Sequence, residues 1–152
     1  MERPLRVLVI EDEEDVARLL RVHLERAGYD VAVALDGRAG LAAFLAAGAD
    51  LVLLDVKLPE LDGWEVCARL RAVSALPIVM VTACAHETDH RKALSLGADD
   101  FLRKPFHGRD LLARVAAALQ RRSDATEQEN RSRQQTPDAV RTGAAGTLPT
   151  EF

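Results

Sequence analysis

Short apolar runs alternate with longer segments of helical period from about residue 5 to residue 122. VLVI, LVLL and IVMV are nearly continuous apolar runs, which is typical of strands buried on both faces. Between the runs, apolar residues recur at helical spacing, and Gly28 stands where a first helix would end. The pattern predicts five helices and five strands, the strands at residues 6–10, 30–34, 51–54, 78–82 and 99–103.

Strands that alternate with helices predict an α/β fold, a parallel sheet with helices on both faces, because parallel neighbours need crossover connections. We expect one such domain over residues 1–122. Residues 123–152 hold few large hydrophobic side chains among polar residues, Gly and Pro. Such a segment buries too little apolar surface to offset its ordering entropy, so we predict a disordered tail or a truncated linker.

Composition narrows the possible environments of the chain. Its 48% hydrophobic and 29% charged residues are usual for a globular protein, and the net charge of −4 offers no general basic surface for nucleic acid. No segment approaches the roughly 20 apolar residues of a membrane span, so we expect a cytoplasmic protein without membrane contact. Cys67 and Cys84 are far apart in apolar surroundings, which favours reduced cysteines over a redox pair.

Polar and charged residues stand where four of the predicted strands end. Glu11 and Asp12 follow the first strand, Asp55 follows the third, Thr82 ends the fourth and Lys104 follows the fifth. Because functional residues of open α/β sheets gather beyond the carboxyl ends of the strands, we expect all five to share one rim. Singly, each is explained as a helix cap, a turn residue, a strand residue or a loop lysine. Their joint placement indicates a site.

The chemistry of this rim follows from its charges. Carboxylates held close together raise one another's pKa values unless a cation joins them. Mg²⁺ takes oxygen ligands, keeps several waters and is typically held by one or two carboxylates plus a phosphate oxygen. The set therefore predicts phosphoryl chemistry with an aspartate as nucleophile. The metal and the Lys104 ammonium would neutralise charge on the transferred oxygens, and the Thr82 hydroxyl would donate a hydrogen bond.

Four motifs together resemble the receiver domain of bacterial two-component response regulators. They are VLVIEDEEDV, LLDVKLPELDGWEV, IVMVTA and GADDFLRKPF, and the resemblance covers about residues 4–122. It implies a flavodoxin-like, doubly wound five-stranded parallel sheet of strand order 2-1-3-4-5 with five helices. It also implies a partner, a sensor histidine kinase that supplies the phosphoryl group.

The resemblance assigns roles to individual residues. Asp55 would accept the phosphoryl group, and Thr82 and Lys104 would hold its oxygens. The expected Mg²⁺ ligands are Glu11 (through water), Asp12, Asp55 and the backbone carbonyl of Lys57. Such a protein is not an ordinary enzyme, although it catalyses its own phosphorylation and dephosphorylation at the aspartate.

Switching in this family involves a second set of positions. Phosphorylation draws the Thr inward and an aromatic on the fifth strand turns in behind it, which here means Thr82 and Phe101. Many relatives have Tyr at the position of Phe101. Because Phe has no hydroxyl group, we expect only the packing of the aromatic ring to contribute to the switch here, without a hydroxyl contact. Lys57 and Cys84 occupy positions that tune dephosphorylation, and the Lys104-Pro105 peptide is usually cis.

The stretch GADDFLRKPFHGRDLLARV resembles most the winged-helix transcription factors of the OmpR/PhoB class. Their receivers dimerise on phosphorylation through the fourth helix, fifth strand and fifth helix. The resemblance implies a homodimer with intersubunit ion pairs from Arg91, Asp100, Asp110, Arg114 and Arg121; a solvated charged face is the alternative. That class continues into a DNA-binding domain, which residues 123–152 are too few to form. We expect a stand-alone regulator or a receiver fragment of a transcription regulator.

Other functions compete for parts of the pattern. HETDH at residues 86–90 matches the His-Glu-x-x-His helix of zinc proteases, but no third ligand stands at a defensible spacing and Arg91 and Lys92 would oppose a dication. EDEED would repel the phosphate of a flavin, and a dehalogenase-like phosphatase needs an acid where Lys57 stands. The remaining alternative is a receiver-like interaction module that works without phosphorylation.

Overall fold

A computed structural model of the chain describes residues 3–83 and 86–147, with only the backbone described for residues 134–147. The chain divides into two compact units, the first ending at Leu119 and the second starting at Gln120. The first unit contains the sheet and all residues of the predicted rim.

Five parallel strands form one sheet in the order β2-β1-β3-β4-β5. The strands are β1 Arg6–Ile10, β2 Asp30–Ala34, β3 Leu51–Leu54, β4 Ile78–Thr82 and β5 Asp100–Arg103. Four of them have the predicted bounds, and the fifth begins one residue later than predicted. The doubly wound fold with order 2-1-3-4-5 is therefore confirmed.

Each strand is followed by a helix. The helices are α1 Glu14–Arg26, α2 Gly37–Ala47, α3 Gly63–Val73, α4 Glu87–Ser95 and α5 Gly108–Thr147. Asp36 and Asp62 cap α2 and α3, since their side chains accept the N–H groups of Ala39 and Glu65 at 2.7 and 3.0 Å. These caps fix where two of the loops at the carboxyl rim turn into helix.

The core lies on both faces of the sheet because successive strand residues point to opposite sides. On one face Leu8 and Ile10 belong to a cluster with Leu70 of α3. On the other face Val7 and Val9 join a cluster with residues of α1 and of the first part of α5, namely Leu20, Leu24, Leu111 and Val115. Burial on both faces explains why the strand sequences are almost wholly apolar.

The last helix runs past residue 122, where the prediction ended it, to Thr147. From Gln120 to Arg133 every side chain is exposed. Ala, Glu, Gln and Arg in this stretch favour helix, and Gln120 Nε2 donates to Asp124 Oδ1 at 3.2 Å one turn along. The exposed side chains from Gln120 to Arg133 bury no apolar surface, so packing does not stabilise this part of the helix. The disordered tail or truncated linker at residues 123–152 stays a prediction.

Among the described residues, no helix combines the length and the apolar character that a membrane crossing requires.

Candidate functional site

Strand pairing brings the ends of β1 and β3 to the same edge of the sheet. Ile10 is paired with Leu54, and the next residue, Asp55, donates its backbone N–H to the carbonyl of Ile10 at 3.0 Å. Glu11 donates its N–H in the same way to the carbonyl of Ala34 at the end of β2. The carboxylates that follow these strands are therefore held side by side by the sheet itself.

Asp55 lies at the centre of this edge and is only 3% exposed. Its Oδ1 accepts the backbone N–H of Lys57 at 3.3 Å, and its Oδ2 accepts a hydrogen bond from Lys104 Nζ, also at 3.3 Å. Both carboxylate oxygens thus have a fixed partner.

Gly63, the first residue of α3, allows that helix to start against the site. A Cβ at this position would lie 2.0 Å from the carbonyl oxygen of Asp55 and 2.7 Å from Cα of Val56. The N–H of Gly63 donates to the carbonyl of Val56 at 2.8 Å. Any side chain at position 63 would push the helix away from the strand end that carries Asp55.

Lys104 is shared among the carboxylates. Its Nζ lies 2.7 Å from Oε1 of Glu11 and 3.7 Å from Oε1 of Glu13, in addition to its bond to Asp55, and the Lys104 side chain is 13% exposed. The backbone N–H of Lys104 donates to the carbonyl of Thr82 at 2.8 Å, so the end of β4 fixes the position of the Lys104 backbone. Thr82 itself is fully buried.

The electrostatics of the site follow from this burial. Burial of Glu11 raises its pKa to about 7 from an ordinary 4.5; Lys104 opposes this rise and the negative charge of Asp55 adds to it. Burial lowers the pKa of Lys104, but its hydrogen bond to Glu11 and the charges of Asp55 and Glu11 outweigh that effect, so the net pKa is raised. The lysine therefore stays protonated, but its positive charge does not balance the negative charges of the carboxylates around it.

The donor set suits a hard divalent cation. Glu11, Asp12, Glu13 and Asp55 each offer one carboxylate oxygen, and these four oxygens lie within 4.8 Å of one another. The Lys104 ammonium forms ion pairs with three of these four carboxylates, which leaves excess negative charge for a metal ion to balance. Glu13 was not among the predicted ligands; the signal was the unbroken acidic run EDEED, of which the prediction used only the first two residues.

The remaining predicted residues lie around this centre. Lys57 has an exposed side chain, and its backbone lies two residues beyond Asp55, as the predicted carbonyl ligand requires. Phe101 is 7% exposed, and its ring stacks on that of His90 with 5.3 Å between centroids. The Lys104-Pro105 peptide is cis, as the resemblance implies. Cys84 lies outside the described residues.

Two residues of the predicted dimer face form an ion pair with each other within the chain. Arg114 Nη1 lies 2.7 Å from Oδ1 of Asp100. Arg91, Asp110 and Arg121 are exposed, Arg121 in the second unit. The structure thus places Arg114 and Asp100 against each other, while the intersubunit pairs stay a prediction.

The histidines of HETDH lie apart from the acidic cluster. His86 is the N-cap residue of α4, and His90 stacks on Phe101. Both line an open cavity of about 370 Å³ together with Glu87, Phe101, Arg103 and Arg114. Within the described parts of the chain, the acidic cluster is the single group of three or more ligand-type side chains brought this close.

A doubly wound sheet with an acidic pocket and a lysine at its carboxyl rim is the arrangement expected of a response regulator receiver domain. The sequence comparison agrees with this assignment. Residues 7–116 match the model of the response regulator receiver domain. The chain belongs to this family and is a receiver domain of the two-component response regulators. Receiver domains in general use Mg²⁺ at such a pocket.

Individual relatives show which class of response regulators the chain resembles. The chain is 48% identical over 118 residues to the sensory transduction protein RegX3 of Mycobacterium tuberculosis, which covers 78% of this chain and 52% of RegX3. It is 48% identical over 117 residues to the alkaline phosphatase synthesis transcriptional regulatory protein PhoP of Bacillus subtilis, covering 76% and 49%. Both are response regulators of the OmpR/PhoB class, so that resemblance is confirmed. The chain spans about half the length of these curated relatives.

Among solved structures, the receiver domain protein (CheY-like) of Methanospirillum hungatei is 28% identical with a TM-score of 0.76. The match covers 80% of this chain and 98% of that one. The fold is thus shared over nearly the whole length of that receiver domain protein.

Proposed function

We propose that Asp55 is the phosphoacceptor and that a sensor histidine kinase is the partner that supplies the phosphoryl group. The observation that carries the proposal is the position of the Asp55 carboxylate. It is almost fully buried, lies at the carboxyl edge of the sheet, and has the ammonium of Lys104 at 3.3 Å and three further carboxylates around it. A buried nucleophile beside an ammonium, among carboxylates that could hold Mg²⁺, fits phosphoryl transfer, because the ammonium and the metal ion would balance the charge of the phosphoryl oxygens.

In the transfer, a carboxylate oxygen of Asp55 attacks the phosphorus of a phosphohistidine. A bond from oxygen to phosphorus forms, the bond from phosphorus to the imidazole nitrogen breaks, and the imidazole leaves with the electron pair. The product is an acyl phosphate on Asp55. Lys104 neutralises charge on the transferred oxygens, and the Thr82 hydroxyl donates a hydrogen bond to one of them. Attack of water on phosphorus breaks the bond to Asp55, releases inorganic phosphate and returns the carboxylate.

The residues that would hold Mg²⁺ are Glu11 (through water), Asp12, Asp55 and the backbone carbonyl of Lys57. When bound, the ion supplies positive charge that offsets repulsion between the carboxylates and the incoming phosphoryl group. This charge is needed because the single ammonium of Lys104 is already divided among three carboxylates.

The output would depend on Thr82 at the carboxyl end of β4 and on Phe101 in the neighbouring strand β5. Phosphorylation draws Thr82 toward the phosphoryl group, and Phe101 turns into the space behind it. This movement reshapes the face formed by α4, β5 and α5, through which two copies associate, with regulation of transcription as the output. The stacking of His90 on Phe101 supports the proposal, because it links the switch aromatic directly to α4.

Intact-mass measurement after incubation with Mg²⁺ and acetyl phosphate tests the phosphoacceptor. The wild-type chain gains one phosphoryl group and Asp55→Asn gains none. Asp36→Asn is the control, since Asn caps α2 as well as Asp does and the same charge is removed. Labelling of Asp55→Asn equal to that of the wild type would reject the site.

A receiver-like module that works without phosphorylation is the second candidate. It has no need of a buried aspartate bonded to a lysine, nor of acidic oxygens gathered within 4.8 Å. Such a group of charges costs stability in the absence of a cation, which argues against this candidate.

A further inference from the structure

Glu13 occupies the N-cap position of α1 and does not use its side chain as a cap. An N-cap side chain with an oxygen usually accepts an N–H group of the first turn. The backbone of Glu13 is nevertheless held on both sides, because its N–H donates to Glu11 Oε2 at 3.2 Å and its carbonyl accepts the N–H of Ala17 at 2.9 Å. The backbone of Glu13 is therefore fixed, while its carboxylate is not used for capping the helix.

That carboxylate is directed to the acidic pocket. Its Oε1 lies 3.7 Å from Lys104 Nζ, and one of its oxygens lies within 4.8 Å of ligand atoms on Glu11, Asp12 and Asp55. Unlike Glu11 and Asp55, whose side chains are 1% and 4% exposed, the Glu13 side chain is 65% exposed. It forms the solvent side of the pocket, where an ion with its water shell would enter.

We infer that Glu13 is a positioning residue that raises the affinity of the pocket for Mg²⁺, acting on the coordinated waters and on Lys104 rather than on the phosphoryl group. The inference rests on the proposed function of the pocket. Mg²⁺ keeps several waters in protein sites, and a carboxylate next to them strengthens binding both by charge and by accepting their hydrogen bonds. Glu13 also attracts Lys104, which leaves Glu11 and Asp55 more negative toward a cation.

The size of the effect is limited by the exposure of Glu13. Loss of a sheltered outer carboxylate weakens metal binding by roughly 10- to 100-fold, and solvent screens a side chain that is mostly exposed. We expect Glu13→Gln to weaken Mg²⁺ binding by about 3- to 10-fold. Because the carboxylate does not contact the phosphoryl group, the phosphorylation rate that Glu13→Gln loses at low Mg²⁺ should be recovered as the Mg²⁺ concentration is raised.

The experiment measures Mg²⁺ binding by the 152-residue chain from its unfolding temperature as MgCl2 is raised at constant ionic strength. The matched control is Glu14→Gln, which removes the same charge from the next residue, the first of α1. Glu13→Asp, which keeps the carboxylate, should bind Mg²⁺ more tightly than Glu13→Gln. Circular dichroism of each variant without Mg²⁺ verifies that it is folded.

Weaker binding confined to Glu13→Gln, with the phosphorylation rate by acetyl phosphate recovered at high Mg²⁺, supports the inference. Two results would overturn it alone: binding by Glu13→Gln within two-fold of the wild type, or an equal loss in Glu14→Gln, which would mean a general charge effect. A wild-type chain that binds no Mg²⁺ would overturn the proposed function of the pocket as well.

Discussion

Arg114 and Asp100 form an ion pair within one chain, with 2.7 Å between Nη1 and Oδ1. The same carboxylate oxygen accepts the backbone N–H of Phe101 at 2.8 Å, so the pair joins α5 to β5 next to the proposed switch aromatic. A dimer that uses Arg114 and Asp100 in intersubunit contacts must first open this pair. Dimer formation and movement of Phe101 would then be coupled through Asp100.

Arg114→Gln is therefore expected to prevent dimer formation on activation. Sedimentation velocity with Mg²⁺ and beryllofluoride should show a wild-type dimer and a variant monomer. The unfolding free energy should change by no more than about 1 kcal/mol, because the Arg114 side chain is 42% exposed. Arg109→Gln, also exposed on α5, is the control and should dimerise normally. A dimer formed equally well by Arg114→Gln would contradict the proposed face.

The raised pKa of Glu11 predicts a pH dependence of stability. With a pKa of 4.5, Glu11 is half deprotonated at pH 4.5 in the unfolded chain, whereas in the folded chain, where its pKa is about 7, it reaches that point only near pH 7. The folded state binds more protons between these values, so the unfolding free energy falls as pH rises, by up to about 3 kcal/mol. Urea unfolding at pH 5 and pH 8 measures the fall, which should be smaller in Glu11→Gln. Identical pH profiles for the two proteins would exclude Glu11 as its source.

Gly63→Ala should destabilise the fold by roughly 1–3 kcal/mol or more, because the new Cβ meets backbone atoms of Asp55 and Val56 that cannot move aside. Gly108→Ala is the matched control, since Gly108 also begins a helix but its Cβ would meet the ring of His23, which can rotate. Chemical denaturation of both variants compares the costs. A cost for Gly63→Ala no larger than that for Gly108→Ala would refute the argument.

Arg71→Ala should reduce stability without affecting phosphorylation. The Arg71 guanidinium donates to the carbonyls of Ser74, Leu76 and Gly97 and to the carboxylate of Asp99, where β4 and β5 begin. Loss of these bonds should cost about 2–4 kcal/mol in urea unfolding. Arg69→Ala, which breaks only an exposed pair with Glu65, should cost about 0.5 kcal/mol or less. Loss of phosphorylation in folded Arg71→Ala would show that the two ends of the sheet are coupled.

The strands and the rim residues were predictable from the sequence, whereas the end of the last helix was not. The strands β1 to β4 were predicted to the residue because each is short, apolar on both faces and bounded by polar residues. The meeting of Glu11, Asp55 and Lys104 was also predictable, since the carboxyl ends of parallel strands lie at one edge. The end of α5 was missed, because beyond residue 122 helix propensity acts without the apolar stripe on which the prediction relied.

By itself, then, the sequence determined the alternation of elements and the identity of the residues on the rim, because periodicity and parallel pairing are properties of short segments. Only the tertiary structure decided how charge is shared there. Lys104 lies 2.7 Å from Glu11 and 3.3 Å from Asp55, and Glu13 turns its carboxylate to the pocket instead of capping α1. Such distances depend on where loops from β1, β3 and β5 are held in space, since electrostatic coupling varies with separation and burial, which no local pattern specifies.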